Sequence, residues 1–140
     1  MWVYEDKEVT CHDDLLPGCT DFVYLITYTN GKKYIGKKTV RSVRRLKPTK
    51  KQLAIRKNYA RKELKDLPFV NYEGSSKLTE GLTVAKKEIL YQTAGKTAAT
   101  YIEVALLFEH EVLFNSTFVN ENISGKFYDN ALNGLLGERQ

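Results

Sequence analysis

The chain has 140 residues and a net charge of +5, with a pI of about 9.1, and this length is typical of a single domain. The apolar fraction of 42% is enough for one hydrophobic core, and the lack of a run of about 18 apolar residues excludes a membrane-spanning helix. The mixed N-terminal stretch MWVYEDKEV is not typical of a signal peptide, so we expect the protein to act in the cytoplasm.

Both cysteines, Cys11 and Cys19, lie in the stretch CHDDLLPGC. Free thiols in a reducing compartment are the expected state, and a disulfide between them stays open. A zinc site built from Cys11, His12 and Cys19 would need a fourth ligand, and the sequence offers no candidate for it. We expect residues 1–21 to form an irregular or short-stranded lead-in that ends at Pro17-Gly18.

Two strands joined by a tight turn are predicted next, over residues 22–28 and 33–37. The sequence between them allows two hairpin registers. A two-residue Asn30-Gly31 turn is the commonest hairpin signal. A three-residue loop over 29–31 is the alternative, with a type I turn, Gly31 in the left-handed conformation and a bulge.

The register decides where Tyr24 and Tyr34 point. With the two-residue turn they face opposite sides of the sheet, because side chains alternate along a strand. With the three-residue loop, Tyr24 pairs with Gly36 and both tyrosines share one face, with space beside the Tyr24 phenol. We favour the second register, although a strand tyrosine taken singly more often packs in a core.

Two helices are predicted after the hairpin. Residues 39–46 are expected to form a short helix that Pro48 ends. Thr49 can cap a second helix over about 50–66, whose apolar stripe is thin, so we expect it on the surface. The segment 47–66 is interpreted as a basic helical insert in the domain.

A third strand over 86–92 and a core helix complete the predicted elements. The helix begins at Thr97 and continues through AATYIEVALLFEHEVLF to about residue 114. Its two predicted apolar faces are Tyr101, Ala105, Phe108 and Val112, and beside them Ile102, Leu106, Glu109 and Leu113. Together the elements predict an α/β (α+β) fold with a small three-stranded antiparallel sheet flanked by helices, in one domain over 22–140.

Positive charge is concentrated in one segment of the chain. Fifteen basic residues and one acid lie between Lys32 and Lys65, so the segment carries +14 and the rest of the chain −9. A polyanion neutralises such a sector and releases its counterions, which favours nucleic acid as the partner over a merely solvated face. The residues expected to contact it are Lys38, Arg41, Arg45, Lys47, Lys50, Lys51, Arg56, Lys57, Arg61 and Lys62.

Several side chains suit the cutting of a phosphodiester, which requires groups that activate water, hold the phosphate and bind a metal. Tyr24 and Tyr34 supply phenols, and lysines such as Lys37 would lower a phenol pKa from about 10. The guanidinium of Arg44 or Arg45 fits phosphate oxygens.

Glu103 is the candidate ligand for magnesium, because a carboxylate among apolar neighbours is unfavourable unless it is paired or binds a metal. A boundary residue paired with a basic side chain is an equally good interpretation of Glu103. Glu109, Glu111 and Asp129 are competing carboxylates.

These residues resemble the GIY-YIG nuclease family. FVY at 22–24 stands where the family has its first tripeptide, and YIG at 34–36 matches the second. The family's arginine follows the YIG glycine by eight residues, which gives Arg44, and its helical glutamate corresponds to Glu103 in YIEVALLF. The chain is also similar to small, free-standing, phage-encoded members of homing type, which implies a bacteriophage source and the host cytoplasm.

The resemblance implies a DNA endonuclease that acts on double-stranded DNA, as a monomer or homodimer, with Mg²⁺ or Mn²⁺ held by Glu103. It implies that Tyr24 is the preferred proton acceptor and that the remaining site residues are Tyr34, Lys37, Arg44, Glu103 and Asn130, with Asn133 as the alternative to Asn130. The chain departs from the family at Phe22, in place of a glycine, and at Pro48, where some members have a histidine. A non-catalytic DNA- or RNA-binding protein and a regulator that binds a protein partner stay open.

Overall fold

The computed structural model describes residues 1–46, 49–55, 61–74 and 80–128. The elements, in chain order, are β1 (Trp2–Tyr4), β2 (Lys7–Val9), a 3-10 turn (His12–Asp14), β3 (Asp21–Tyr28), β4 (Lys33–Thr39), β5 (Arg41–Leu46), α1 (Lys50–Ile55), β6 (Arg61–Asp66), β7 (Val84–Thr93), α2 (Lys96–Glu109), β8 (Asn122–Ile123) and β9 (Phe127–Tyr128). Five strands form one sheet in the order β2-β1-β7-β3-β4, and β5-β6 and β8-β9 form separate two-stranded pairs. The fold is therefore α+β.

The five-stranded sheet contains the three predicted strands as β3, β4 and β7. The prediction of a three-stranded antiparallel sheet is wrong in part, because β1 adds to β7 in parallel and β2 extends the sheet beyond β1. Strands of three residues are too short to show a period of two, so the sequence pattern could not reveal them. The division of the chain into a lead-in and a domain at residue 21 stays a prediction.

The lead-in is anchored by Trp2, which is fully buried. Its indole Nε1 donates a hydrogen bond to the Phe69 carbonyl at 3.0 Å. Its ring also lies 4.9 Å from the Phe22 ring and 5.4 Å from the Tyr24 ring, between centroids. Strand β1 therefore packs directly on the aromatic core of β3.

The sheet carries a hydrophobic cluster on each face. Phe22, Tyr24 and Ile26 of β3 belong to the cluster that contains Trp2. The alternate β3 residue Val23 joins Ile35, Ala99 and Leu107 in the cluster under α2. Because β3 is covered on both faces, nearly every residue in it is buried, which explains its almost continuous apolar sequence.

Helix α2 confirms the predicted core helix but ends at Glu109, not near 114, and Glu111 has a positive φ of 50°. The predicted face through Tyr101 and Phe108 is wrong, because these side chains are 76% and 50% exposed. The buried side chains are instead Ala99 and Leu107. Apolar residues occur on every side of this helix, so its sequence alone does not define one buried face. Contact with the sheet decides which face is buried.

The helix predicted over 39–46 is wrong, and the helix predicted over about 50–66 is right only in its first part. Val40 is fully buried between β4 and β5, and Arg41–Leu46 forms a strand that pairs antiparallel with Arg61–Asp66. Among the described residues of this stretch, Lys50–Ile55 alone is helical. The residues of both strands have adequate helix propensity, but pairing between distant segments overrides such a weak preference. We call β5 and β6 the basic ribbon.

Replacing Trp2 with alanine should lower the free energy of unfolding by about 3–5 kcal/mol, since it removes a buried indole and leaves the Phe69 carbonyl without its donor. Urea unfolding measures this. The control is Tyr101→Ala, which should change stability by less than about 0.5 kcal/mol because Tyr101 is exposed. Equal stability of the two variants would contradict the packing of β1 into the core.

Candidate active site

The hairpin between β3 and β4 has the three-residue loop. The Gly31 amide donates to the Tyr28 carbonyl and the Tyr28 amide donates to the Lys32 carbonyl, both at 2.9 Å. Gly31 has a φ of +85°, in the left-handed region that favours glycine. Tyr24 lies opposite Gly36. The favoured register is confirmed, and it places Tyr24 and Tyr34 on one face.

Tyr24 crosses directly over Gly36. A Cβ atom at position 36 would lie 2.4 Å from Tyr24 Oη and 2.6 Å from Tyr24 Cζ. The space that the missing side chain leaves is therefore filled by the phenol itself. Glycine in the YIG tripeptide is required here by close approach of a neighbouring ring, and not by its backbone angles.

A third tyrosine, which the sequence analysis did not identify, joins this pair. Tyr72 comes from the loop after Phe69, and its ring centroid is 5.8 Å from that of Tyr24. The Tyr24 hydroxyl donates a hydrogen bond to Tyr72 Oη at 3.4 Å. The Tyr24 and Tyr34 centroids are 6.3 Å apart. We call Tyr24, Tyr34 and Tyr72 the tyrosine cluster.

The predicted lowering of the phenol pKa by lysines is wrong for Tyr24 and Tyr34. Burial raises the pKa of Tyr24 far above its ordinary value, and the neighbouring Tyr72 raises it further. Burial raises the pKa of Tyr34 to about 12. Lys37 does not offset this, because it lies on the other face of β4 and donates to Thr100 Oγ1 on α2. Both phenols are therefore neutral near pH 7.

Glu103 lies on the buried stripe of α2, one helical turn from Ala99 and from Leu107, both of which are buried. Burial raises the pKa of the Glu103 carboxyl, and the positive charge of Lys37 lowers it in part. The negative charge of Glu103 in turn raises the pKa of Tyr24 and of Tyr34. Glu103 thus lies within electrostatic range of Lys37, Tyr24 and Tyr34.

This arrangement lies at β4, an edge strand of the sheet. The tyrosines lie on one face of the sheet, and Glu103 with Lys37 lies on the other. The outer edge of β4 is partly covered. The Lys33 amide donates to the Thr117 carbonyl, and the Val119 amide donates to the Lys33 carbonyl, both at 2.8 Å.

Asn120 holds the same edge through its side chain. Its Oδ1 accepts from the Ile35 amide at 3.2 Å, and its Nδ2 donates to the Ile35 carbonyl at 2.9 Å. This pair of bonds fixes the strand that carries the YIG tripeptide. The sequence analysis missed Asn120, since only tertiary structure brings it to Ile35. The predicted Asn130 and its alternative Asn133 lie outside the described residues.

A magnesium ion fits the donors present only as a largely hydrated ion. Among the described residues, no group of three His, Cys, Asp or Glu side chains comes together. One carboxylate with several waters is a common arrangement for Mg²⁺ and an unusual one for zinc. Cys11 and Cys19 are free thiols, and His12 Nε2 donates to the Val40 and Leu67 carbonyls at 3.1 and 2.8 Å.

The predicted arginine, Arg44, lies on the basic ribbon and is exposed, opposite Glu63. It is therefore not part of the tyrosine cluster in the described structure. Arg41 has a structural role, because its guanidinium donates to the carbonyls of His12, Leu16 and Cys19 at 2.9–3.2 Å. It also pairs with Asp66 at 3.3 Å. These bonds argue against Arg41 as a primary contact to nucleic acid.

The other basic residues predicted to contact nucleic acid fall into two groups, those whose side chains the structure describes and those whose side chains it does not. Lys38 Nζ lies 4.7 Å from the centroid of the Tyr72 ring, whereas Arg45, Lys50 and Lys51 are exposed. The second group comprises Lys47, Arg56 and Lys57, which lie outside the described residues, and Arg61 and Lys62, of which only the backbone is described.

The family model "Putative endonuclease segE, GIY-YIG domain" matches residues 2–131. The chain belongs to this GIY-YIG endonuclease family. The matched range includes β1 and β2, in agreement with their place in the sheet. No match was found among curated proteins or among solved structures. In the described part of this GIY-YIG protein, no helix is long and apolar enough to cross a membrane.

Gly36→Ala should lower the free energy of unfolding by about 1–3 kcal/mol, because the new methyl group overlaps the Tyr24 phenol. The double variant with Tyr24→Phe removes the nearer of the two overlapping atoms. We therefore expect a favourable coupling of about 0.5–3 kcal/mol in a double-mutant cycle measured by urea unfolding. Strictly additive effects would show that Gly36 and Tyr24 do not make this contact.

Glu103→Gln should make the protein more stable near neutral pH, without metal. A carboxyl whose pKa is raised on folding binds more protons in the native state, so wild-type stability falls as the pH rises above its ordinary value of 4.5. Glutamine does not titrate. The variant should exceed the wild type in urea unfolding at about pH 8 in EDTA, and the difference should vanish at about pH 4. The exposed Glu109→Gln is the control, and a pH-independent difference would contradict burial as the cause.

Proposed function

We propose that this chain is a metal-dependent DNA endonuclease that hydrolyses phosphodiester bonds in double-stranded DNA and is encoded by a phage. The observation that carries the proposal is the position of Glu103. It is an acid on the buried stripe of α2, its pKa is raised by burial, and it lies within electrostatic range of Tyr24 and Tyr34. A protein that only binds nucleic acid has no use for a desolvated acid near the phosphates.

Glu103 would hold the metal ion, and Mg²⁺ or Mn²⁺ when bound supplies a positive charge that polarises the scissile phosphate. Lys37 favours the ionised form of Glu103, because its positive charge lowers the pKa of that carboxyl. The ammonium of Lys37 is held toward α2 by its bond to Thr100. It thereby adds positive charge on the side from which a phosphate would approach β4.

Tyr24 and Tyr34 act as neutral hydroxyls in this proposal. A neutral phenol can donate a hydrogen bond to a phosphate oxygen and can orient a water molecule, and it can pass a proton onward if an acceptor is adjacent. Both rings are held in place by the hairpin, by the contact between Tyr24 and Gly36, and by the two hydrogen bonds from the Asn120 side chain to Ile35. The family resemblance also implies a catalytic role for Asn130.

The basic ribbon supplies the DNA-binding surface. Arg44 and Arg45 are exposed on β5, and Lys65 is exposed on β6. A two-stranded ribbon is narrow enough to enter the major groove of B-DNA. We infer that Arg44 reaches the phosphate at the site when DNA draws the ribbon toward β4, and that the other basic side chains contact the backbone.

The test is incubation with supercoiled plasmid, with Mg²⁺ or with EDTA, beside Glu103→Gln, Arg44→Ala and the control Glu109→Gln. We expect metal-dependent nicking or linearisation by the wild type and the control, and a loss of about 10²-fold or more in the first two variants. Retardation of the same DNA should persist in Glu103→Gln. Retardation by the wild type without cleavage in any divalent metal would instead support the non-catalytic binding protein.

A further inference from the structure

We propose that His12 and Arg41 are positioning residues for DNA cleavage, because together they fix the base of the basic ribbon and thereby the place of Arg44 relative to the tyrosine cluster. The proposal rests on the proposed endonuclease function and deepens it. His12 belongs to the stretch CHDDLLPGC, which the endonuclease site itself does not use.

In the described part of the chain, the basic ribbon is a sheet of its own. Ladder hydrogen bonds to the five-stranded sheet therefore do not set its direction. Its first strand follows β4 after the single residue Val40, and its second strand ends at Asp66. The Leu67 amide closes the base of the ribbon by donating to the Val40 carbonyl at 2.9 Å. The direction of the ribbon is therefore decided at Val40 and Leu67.

His12 joins these two ends of the ribbon to the lead-in. Its Nε2 lies 3.1 Å from the carbonyl oxygen of Val40 and 2.8 Å from that of Leu67. Because a carbonyl oxygen can only accept, this nitrogen carries its hydrogen and donates to both. The other ring nitrogen, Nδ1, lies 3.9 Å from Oδ2 of Asp66, the last residue of β6.

Arg41 holds the same base from the side of the ribbon. Its guanidinium donates to the His12 carbonyl at 2.9 Å and to Asp66 Oδ1 at 3.3 Å. The amides of Val40 and Arg41 both donate to the Thr20 carbonyl, at 2.8 and 3.1 Å. Backbone bonds thus anchor the outgoing strand β5, and the side chains of His12 and Arg41 anchor the returning strand β6. A second attachment prevents the rotation that a single one would allow, and we call His12 and Arg41 the ribbon clamp.

The ribbon clamp is connected to the tyrosine cluster through packed and hydrogen-bonded residues. The His12 ring packs edge-on against the buried ring of Phe69, at 4.9 Å between centroids. The Phe69 carbonyl accepts from the Trp2 indole and from the Tyr72 amide, both at 3.0 Å. Lys87, a buried lysine on β7, donates to the Tyr72 carbonyl at 3.0 Å. The base of the ribbon therefore has a fixed position relative to Tyr72 and the cluster.

A small rotation at the base of the ribbon is enough to misplace Arg44. Arg44 comes three residues after Arg41, which is ~10 Å along an extended strand. A rotation of about 10° at the base therefore moves it by about 2 Å. A misplacement of about 1 Å can slow a reaction about 10²-fold. The ribbon clamp gives the ribbon a fixed end, so that the movement induced by DNA brings Arg44 to one place.

The first test compares single-turnover cleavage of plasmid at saturating DNA by the wild type and by His12→Phe. Phenylalanine keeps a ring against Phe69 but removes the donor to both carbonyls. The rate should fall about 10²-fold, whereas the protein concentration for half-maximal retardation should stay within about threefold, because the basic side chains are unchanged. His12→Gln supplies an amide N–H donor and should recover at least about tenfold of the loss. The matched control is His110→Phe at the exposed second histidine, which should cleave as the wild type does.

A double variant separates positioning from a merely structural role. Arg44→Ala removes the group that the ribbon clamp positions, so adding His12→Phe to it should slow cleavage by no more than about threefold. Hydrogen exchange gives a readout without activity: in His12→Phe the Leu67 amide should exchange at least about tenfold faster, and the Ile35 amide on β4 should be unchanged. If His12→Phe does not fold, Asp66→Asn takes its place, because it changes an exposed side chain and should show the same dependence on Arg44.

The outcomes distinguish the ribbon clamp from the activity on which it rests. A wild type that cleaves, together with a folded His12→Phe variant that cleaves equally fast, overturns the positioning role and leaves the endonuclease intact. Equal losses in the wild-type and Arg44→Ala backgrounds do the same. A wild type that does not cleave in any divalent metal overturns the endonuclease and the positioning role together.

Discussion

The contact between Tyr24 and Gly36 is the constraint on which the rest of the site depends. It requires the three-residue loop, because the other hairpin register would not pair these residues. It holds the Tyr24 hydroxyl over β4, where it meets Tyr72 and lies near Tyr34. The bulged loop, the YIG glycine and the side-chain amide of Asn120 all serve to hold one strand edge in one position.

Around this contact the protein retains polar groups that burial disfavours. Burial raises the pKa of Glu103 and Tyr24 and lowers the pKa of Lys87. Burial makes the charged form of each of these groups less stable than it is in water. Glu103 and Tyr24 lie near the β4 edge of the sheet, and perturbed pKa values concentrate at functional sites.

The division of the site between two faces of the sheet has a physical basis. Side chains alternate along β4, so Tyr34 and Lys38 lie with the tyrosine cluster while Ile35 and Lys37 face α2. Groups on opposite faces can act on one substrate only where the sheet ends. Strand β4 is that edge. The basic ribbon begins directly after β4, which keeps the positive charge close to the same edge.

The sequence by itself determined the elements whose causes are local. The period of two predicted β3, β4 and β7, the Thr-Asn-Gly stretch left two hairpin registers open, and the tripeptide spacing predicted the family and the candidate residues Tyr24, Tyr34, Lys37 and Glu103. Tertiary structure decided everything that depends on a distant partner. Strands β1, β5 and β6 exist because another segment pairs with them, the buried side of α2 was selected by the sheet, and Asn120 reaches Ile35 from 85 residues away. Tyr72 joined the site for the same reason: its position is set by Lys87 and by Trp2, and no local pattern records contacts between side chains so far apart along the chain.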